Sequence, residues 1–199
     1  DNIYFSTEIT YLNASIKGNA DLLSQNVSIN NQYTAWLPEA YLSYGRRTKT
    51  RHSLYYTSRY SLPQGSDILP AYNVFNIWNR AVGNSTLGLT LNNGINYWMR
   101  KQFKKGAFRT LSTGLNYDWS NNYKVSSTFT NETGLAETKP VLVSGYKRWS
   151  ANANTNIKLY KKLLSLYIRG NASQAEVPLL FNNQQFLNTN RTISGNGGI

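Results

Sequence analysis

The sequence predicts an all-β protein, folded as an antiparallel meander of about eight long strands, and three observations support this fold class. Apolar and polar residues alternate through much of the 199-residue chain; for example, Asn152, Asn154 and Asn156 oppose Ala151 and Ala153. Successive side chains of a strand point to opposite faces, so period two is typical of β-structure. Short basic breaks and long polar stretches separate the alternating segments, as expected for a series of hairpins. No run of about 18 apolar residues occurs, so the sequence predicts no membrane-spanning helix.

Three strands are expected in the first third of the chain. The segment Ile3–Leu12 alternates Ile and Phe with Tyr, Ser and Glu. The stretch Asn13–Tyr33 is rich in Asn and Ser, and we expect it to form a long loop. Ala35–Arg46 resumes the alternation, and Arg51–Leu62 follows a basic turn as its hairpin partner.

The middle of the chain adds two strands and two loops. Pro63–Asn84 carries two of the five prolines and is expected to be a loop. Thr86–Met99 shows the most regular alternation in the chain, and Ala107–Trp119 follows it after another basic turn. Ser120–Lys139 is expected to extend the preceding strand beyond the sheet before it loops back.

The last third of the chain contributes three strands. Most apolar residues of Pro140–Lys158 are at odd-numbered positions, which predicts one long strand. Leu164–Ala172 is its hairpin partner after a lysine turn. Ser173–Gln185 is expected to be a loop, and Phe186–Ile199 to be the final strand.

The apolar face of this sheet needs a covering layer that the rest of the chain does not offer. Charged residues make up only 15% of the sequence, whereas 15 Tyr and five Trp occur, several of them near strand ends. Aromatic girdles, short turns at one end and long loops at the other are typical of transmembrane barrels. We therefore expect the sheet to be part of a transmembrane β-barrel, with its apolar face in lipid and its asparagines in a wet lumen. A soluble all-β sandwich or binding module is the alternative.

Thr86–Met99 gives the most specific prediction of orientation, because a slip of one residue would invert every side chain. The outward residues are expected to be Leu87, Leu89, Leu91, Ile95 and Met99, and the lumen-facing residues Thr90, Asn92 and Asn96. Gly94 and Gly114 lie in strand interiors, where glycine more often relieves crowding or permits bending than marks a ligand contact.

The basic residues cluster at one end of the predicted sheet. Lys and Arg number 21 against nine acidic residues, which gives a formal net charge of +12. Such an excess raises the possibility of nucleic acid binding. The clusters Arg46–Arg51, Arg100–Lys105 and Lys158–Lys162 nevertheless fall at short breaks between strands, not along one binding face. We therefore expect no nucleic-acid partner, and we expect these turns to lie on the periplasmic side.

Three motifs resemble TonB-dependent outer-membrane receptor barrels, and they occur in the order found in that family. They are Trp36-Leu37-Pro38 followed by Ser53–Tyr60 and SLPQ, the run Asn79–Leu87, and Thr138-Lys139-Pro140-Val141 with Val143 and Gly145. In the second motif, Ser85 replaces the usual proline, and the spacing from Arg to Gly is one residue longer. The resemblance covers roughly residues 35–160.

This resemblance implies a barrel of about 22 strands that is coupled to an N-terminal plug domain and powered through TonB. Residues 1–199 would then be the barrel portion alone, about a third of the whole, with no plug domain among them. The implied location is the cell outer membrane of a Gram-negative bacterium. The implied partners are outer-membrane lipid and lipopolysaccharide, TonB through the missing plug, and a possible surface lipoprotein. The piece alone is expected to have two open strand edges, at Ile3–Leu12 and Phe186–Ile199.

No motif in the sequence marks an enzyme. The chain has no cysteine, one histidine (His52, beside a basic turn) and nine dispersed carboxylates, and it lacks metal-binding and phosphate-binding motifs. We expect no enzymatic activity, no cofactor and no metal site.

The candidate ligand-binding residues lie in the loop Pro63–Asn84, which combines aromatic surface with charge: Asp67, Tyr72, Phe75, Trp78 and Arg80. Such a set suits sugars or peptides, although the aromatic residues could equally pack the loop against itself. The predicted function is import of a bulky nutrient ligand, namely a glycan, a peptide or a metal chelate. A complete small outer-membrane barrel with a structural or adhesive role is an alternative, as is a soluble β-rich binding module.

Overall fold

Eleven strands and one helical turn make up the described part of the chain in the computed structural model, which covers residues 2–22, 25–46, 49–69, 79–103, 108–130, 134–159 and 164–199. The strands are β1 (Asn2–Leu22), β2 (Gln25–Gly45), β3 (Thr50–Ser61), β4 (Asn79–Ala81), β5 (Thr90–Gln102), β6 (Phe108–Ser120), β7 (Tyr123–Thr130), β8 (Ala136–Val143), β9 (Tyr146–Leu159), β10 (Leu164–Phe181) and β11 (Gln184–Gly198), and the helical turn is α1 (Gly65–Ile68). No helix within these ranges is long and apolar enough to cross a membrane.

Eight of the strands form one continuous antiparallel wall in the order β1-β2-β3-β5-β6-β9-β10-β11. Each wall strand has at least twelve residues. The predicted number of about eight strands is nevertheless wrong, because β4, β7 and β8 also form. These three strands have three to eight residues. β4 lies in the predicted loop Pro63–Asn84, and β7 lies in the segment Ser120–Lys139. β8 includes the start of the predicted strand Pro140–Lys158, so the prediction of one continuous strand there is wrong: the chain turns at Gly145, which has a φ of 105°, before β9 begins.

The first hairpin is much longer than predicted. β1 and β2 have 21 residues each and pair without interruption from Asn2–Gly45 to Leu22–Gln25. The expected loop Asn13–Tyr33 is therefore wrong. The physical reason lies in β2, where Ile29, Tyr33, Ala35 and Leu37 are buried on one face, while most of the residues between them are polar. Packing on one face outweighs the low strand propensity of the polar residues.

The last hairpin corrects a second predicted loop. β10 continues through most of Ser173–Gln185 and turns sharply at Asn182-Asn183 into β11. Both asparagines have positive φ, 45° and 63°. Two-residue hairpins need this conformation, and Asn adopts it at lower cost than most side chains.

The connection from β3 to β5 (residues 62–69 and 79–89 as described) folds onto one face of the wall, which we call the inner face. Leu89 packs against Tyr33, Ala35 and Leu37, and a neighbouring cluster joins Leu87 to Ile29 and Ile68. Leu87 is 2% exposed and Leu89 is 9% exposed. The prediction that these two leucines face outward is therefore wrong, because β5 begins only at Thr90 and the preceding residues turn inward.

Asn122 anchors the point where β6 leaves the wall for β7. Its side chain donates to the carbonyl of Leu89 (2.6 Å) and accepts from the amide of Leu91 (2.9 Å), while the Ser120 hydroxyl donates to the carbonyl of Leu91 (2.7 Å). These side chains replace backbone partners at the edge of β5. β7 and β8 then form a hairpin that runs alongside the end of β10 and meets β4.

The opposite, outer face of the wall carries an extensive exposed apolar surface. Register and alternation place these exposed side chains on it: Ile3, Phe5, Ile9, Trp36, Leu42, Leu54, Ile95, Leu115, Trp149, Leu164, Ile168 and Ile193. Ile95 thus faces outward as predicted. Asn92 and Asn96 lie on the inner face, in register with Arg59 and Tyr55 of β3. A soluble monomer rarely exposes apolar surface on this scale.

The predicted difference between the two ends of the wall is confirmed only in part: the long β3–β5 and β6–β9 connections lie at one end, but the β1–β2 and β10–β11 connections at that same end span two residues each. The β2–β3, β5–β6 and β9–β10 turns all lie at the end where Gly45 pairs with Arg51, which is the basic end. β1 pairs with β2 alone and β11 with β10 alone among the described residues, so the sheet is open at both edges.

Candidate binding surface of the inner wall

Asp67 is the one residue of the predicted ligand set whose contacts the structure gives in full. It lies in α1, and its Oδ2 accepts from Lys124 Nζ and from the backbone amide of Gln64, each at 2.8 Å. Its backbone carbonyl also accepts from the amide of Asn84 at 2.6 Å. Asp67 thus ties the inward connection to β7, which is a structural use of its carboxylate.

The electrostatics of Asp67 agree with this role. Burial alone would raise the pKa of its carboxyl group, but hydrogen bonds from Lys124 and Gln64 and the charge of Lys124 outweigh burial and hold the pKa below the ordinary 3.8. The carboxylate is therefore ionised at neutral pH and already has a cationic partner.

Of the other four predicted site residues, the structure describes only Arg80. Arg80 is exposed on β4, in register with Glu137 of β8, so it lies away from the Asp67–Lys124 pair. Tyr72, Phe75 and Trp78 lie outside the described residues. Asp67 and Arg80 thus lie apart, and the prediction that all five residues form one site stays a prediction.

A polar pocket of about 470 Å³ lies instead on the inner face of β3, β5 and β6. Its polar and charged lining includes Arg59, Asn92, Asn96 and Asp118. Asn92 is in register with Arg59, and Asp118 with Gly94. A guanidinium, a carboxylate and two amides thus converge on one concavity.

Gly94 makes room for the Asp118 carboxylate. A Cβ atom at Gly94 would lie 2.8 Å from Asp118 Oδ1. Gly114 plays the same part beneath Asn152, whose Nδ2 would lie 2.7 Å from an added Cβ. The prediction that these glycines relieve crowding is confirmed, and at Gly94 the relief shapes the pocket.

Two stacked tyrosines form the part of the rim that lies away from the basic turns. The rings of Tyr123 and Tyr146 are 4.3 Å apart between centroids and 5° from parallel, and both line the pocket. A flat aromatic surface beside amides and charges suits a ligand that has both apolar faces and hydroxyl or amide groups.

A second pocket, of about 260 Å³, adjoins the first through the shared residue Thr57. It brings together Glu8 and Glu39, which are direct cross-strand partners. Tyr41 and Tyr55 stack at 4.4 Å on its side towards the basic turns, and Arg51 donates to the Tyr41 hydroxyl at 2.7 Å. The inner wall therefore offers a continuous polar and aromatic surface across at least five strands.

The sequence carries a partial signal for this surface. Each of four polar residues that line the larger pocket lies on the polar side of a predicted strand: Arg59, Asn92, Asn96 and Asp118. Strand pairing is needed to bring them together. The predicted loop Asn13–Tyr33 separates Glu8 from Glu39, so the sequence pattern alone does not pair them. No group of three His, Asp or Glu residues within the described ranges could hold a metal ion.

Comparison with known proteins identifies the family. The sequence profile of the outer membrane protein beta-barrel family matches residues 10–198, nearly the whole chain. No curated protein and no solved structure shows significant similarity to the chain.

Proposed function

We propose that this chain, which belongs to the outer membrane protein beta-barrel family, forms part of the wall of a TonB-dependent transporter. Membership of the family places the chain in an outer membrane. The transporter would import a bulky nutrient ligand, namely a glycan, a peptide or a metal chelate, and would have no enzymatic activity. The cell would be a Gram-negative bacterium.

The observation that carries this proposal is the polar and aromatic inner wall beside an open sheet. The Arg59–Asp118 pocket and the Glu8–Glu39 pocket adjoin on the inner face, where a ligand would pass. Unpaired strand edges are costly in lipid, so further strands would complete the wall. A plug carried elsewhere in the full chain would contact TonB, and a surface lipoprotein is a further partner in this proposal.

A complete small outer-membrane barrel with a structural or adhesive role is the second candidate. The observation that favours it is the wall of eight strands with at least twelve residues each, since about eight strands can close a small barrel. The open β1 and β11 edges count against it. A solution structure in which β1 pairs with β11 would favour this candidate over the transporter.

Uptake measurements test the transporter directly. Cells that carry or lack the full-length protein would be given labelled oligosaccharides, peptides and metal chelates, in strains with and without TonB. We expect one ligand class to be taken up only when both proteins are present. Asp118→Asn should reduce that uptake, because it removes the pocket carboxylate. Uptake of the ligand that is independent of TonB would contradict the proposal.

A further inference from the structure

A groove of about 490 Å³ crosses the outer face over β6, β9, β10 and β11. Its floor is formed by Ala151 and Ala172, which are cross-strand partners. Leu115 of β6 stands on one side of this pair and Ile193 of β11 on the other, both in register with it. Two small side chains between two large ones leave a trough in the exposed apolar surface.

Small residues continue the floor of the trough towards the basic turns. The next outward-facing row consists of Ala153, Gly170 and Gly195, which pair across β9, β10 and β11. Rows of one face are separated by two residues, or roughly 7 Å along a strand. The trough therefore has the length to hold a segment of a hydrocarbon chain.

The row on the other side of the floor is aromatic and cationic. Tyr117, Trp149, Gln174 and Arg191 are consecutive register partners. The rings of Tyr117 and Trp149 are 4.3 Å apart, and Arg191 Nε donates to Gln174 Oε1 at 3.1 Å. Tyr and Trp rings of membrane proteins concentrate where hydrocarbon meets headgroups, so this row marks the interface on the side away from the basic turns.

We propose that this groove binds one lipopolysaccharide molecule, with an acyl chain over Ala151 and Ala172 and a phosphate of its headgroup on Arg191. A guanidinium has five N–H donors, and the bond to Gln174 uses one of them. Arginine binds phosphate through paired donors, a contact roughly twice as strong as a neutral hydrogen bond. An acyl trough below an interfacial guanidinium thus matches an anionic amphiphile.

The neighbouring charges and the position of the groove agree with this occupant. Lys147 and Glu176 face each other in the next outward row, so these two residues and Arg191 together carry a net charge of +1. Turns at the periplasmic end of such barrels are short and loops at the other end are long. The Arg191 row lies towards the end that carries the long β3–β5 and β6–β9 connections. We assign this end to the outer leaflet, where the phosphorylated lipid is lipopolysaccharide. The inference depends on the outer-membrane location and not on transport.

Titration of the full-length, delipidated protein in detergent tests the proposal. Native mass spectrometry would count the bound molecules of a short-chain lipopolysaccharide, with phosphatidylglycerol as the competing anionic lipid. We expect one tightly bound lipopolysaccharide, and about tenfold weaker binding in Arg191→Gln, since a charge-assisted contact of this kind is lost. Ala172→Phe should weaken binding by filling the trough, and Ala172→Val serves if the larger substitution prevents folding.

Two matched variants serve as controls. Arg169→Gln removes the same charge from the inner face, and Thr7→Phe adds the same bulk to the outer face of β1, outside the groove. Both should bind lipopolysaccharide as the wild type does. Unchanged binding in Arg191→Gln and in the Ala172 variants would overturn the proposal, as would an equal loss in the controls. Equal affinity for phosphatidylglycerol would overturn the choice of lipopolysaccharide.

Discussion

Asp67 holds the inward connection in place through contacts of its side chain and its backbone. The carboxylate accepts hydrogen bonds from Lys124 and from the amide of Gln64, and the carbonyl accepts one from Asn84. One residue thereby fixes α1 against both β7 and the start of the segment that leads into β5. The side chains of Asp67 and Lys124 are 16% and 41% exposed, so solvent screens their attraction in part.

We predict that Asp67→Asn loosens the inward connection by about 0.5 kcal/mol at neutral pH, the scale of a partly exposed ion pair. The folded pKa lies below the ordinary 3.8, so the stabilisation is present above that value and is lost as the pH falls through the folded pKa. Hydrogen exchange of residues 64–69 should therefore differ between wild type and variant at pH 7, and the difference should shrink as the pH falls below 3.8. A difference that persists unchanged in acid would contradict this role.

Gly94 shows how the absence of a side chain shapes the candidate binding surface. We predict that Gly94→Ala changes the free energy of unfolding by less than about 1 kcal/mol, because the atom it meets is the end of a flexible side chain. The displaced Asp118 carboxylate should nevertheless reduce ligand uptake. Gly18→Ala is the control, since an added Cβ there meets nothing within 4 Å. Equal uptake by Gly94→Ala and wild type would remove Asp118 from the site.

Asn122 stabilises the point where the chain leaves the wall between β6 and β7. We predict that Asn122→Ala lowers the free energy of unfolding by about 1–3 kcal/mol, because the carbonyl of Leu89 and the amide of Leu91 both lose a partner. Asn121→Ala is the matched control, since Asn121 is exposed at the adjacent position. Urea unfolding in lipid vesicles, followed by tryptophan fluorescence, would measure the difference. Equal stability of the two variants would refute the bridging role.

A strand could be predicted from the sequence where its own alternating residues determine it, but not where packing against distant residues determines it. Residues 90–99 and 146–158 lie within the predicted strands Thr86–Met99 and Pro140–Lys158, and their alternation was enough to predict a strand in each place. The Asn13–Tyr33 region could not, because its strand depends on Ile29 and Tyr33 packing against a connection that is distant in sequence. Leu87 and Leu89 fit the outward parity of β5 but belong to that connection, a difference that only tertiary packing decides.

The residue types of the candidate site could be predicted from the sequence, but their positions relative to one another could not. The alternating pattern predicted that Asn92 and Asn96 face the lumen, but their convergence with Arg59 and Asp118 depends on the register of three strands. Asp67 has the residue type of a ligand contact, yet its neighbours in the fold use its carboxylate. Spacing along the chain cannot distinguish a free carboxylate from a paired one.

At the scale of the whole molecule, the two ends of the wall should face different compartments. We predict that a cysteine at Asn183, in the β10–β11 turn, reacts with a membrane-impermeant reagent added to intact cells, whereas one at Lys49 does not. The reason is that Lys49 lies at the end with short basic turns, which we assign to the periplasm. Disrupted cells should label at both positions, which shows that each cysteine is reactive. Labelling of Lys49→Cys from outside would reverse the assigned orientation.

The central claim is that the outer face of the wall touches lipid and the inner face lines a wet lumen. Spin labels placed singly at residues 150–157 of β9, in the full-length protein in lipid vesicles, test it most directly, because the two faces alternate there. We predict high access to oxygen at Ala151, Ala153 and Ile157, and high access to a water-soluble relaxation agent at Asn152, Asn154 and Asn156. Oxygen access without a period of two, or with its maxima at the asparagines, would contradict the account.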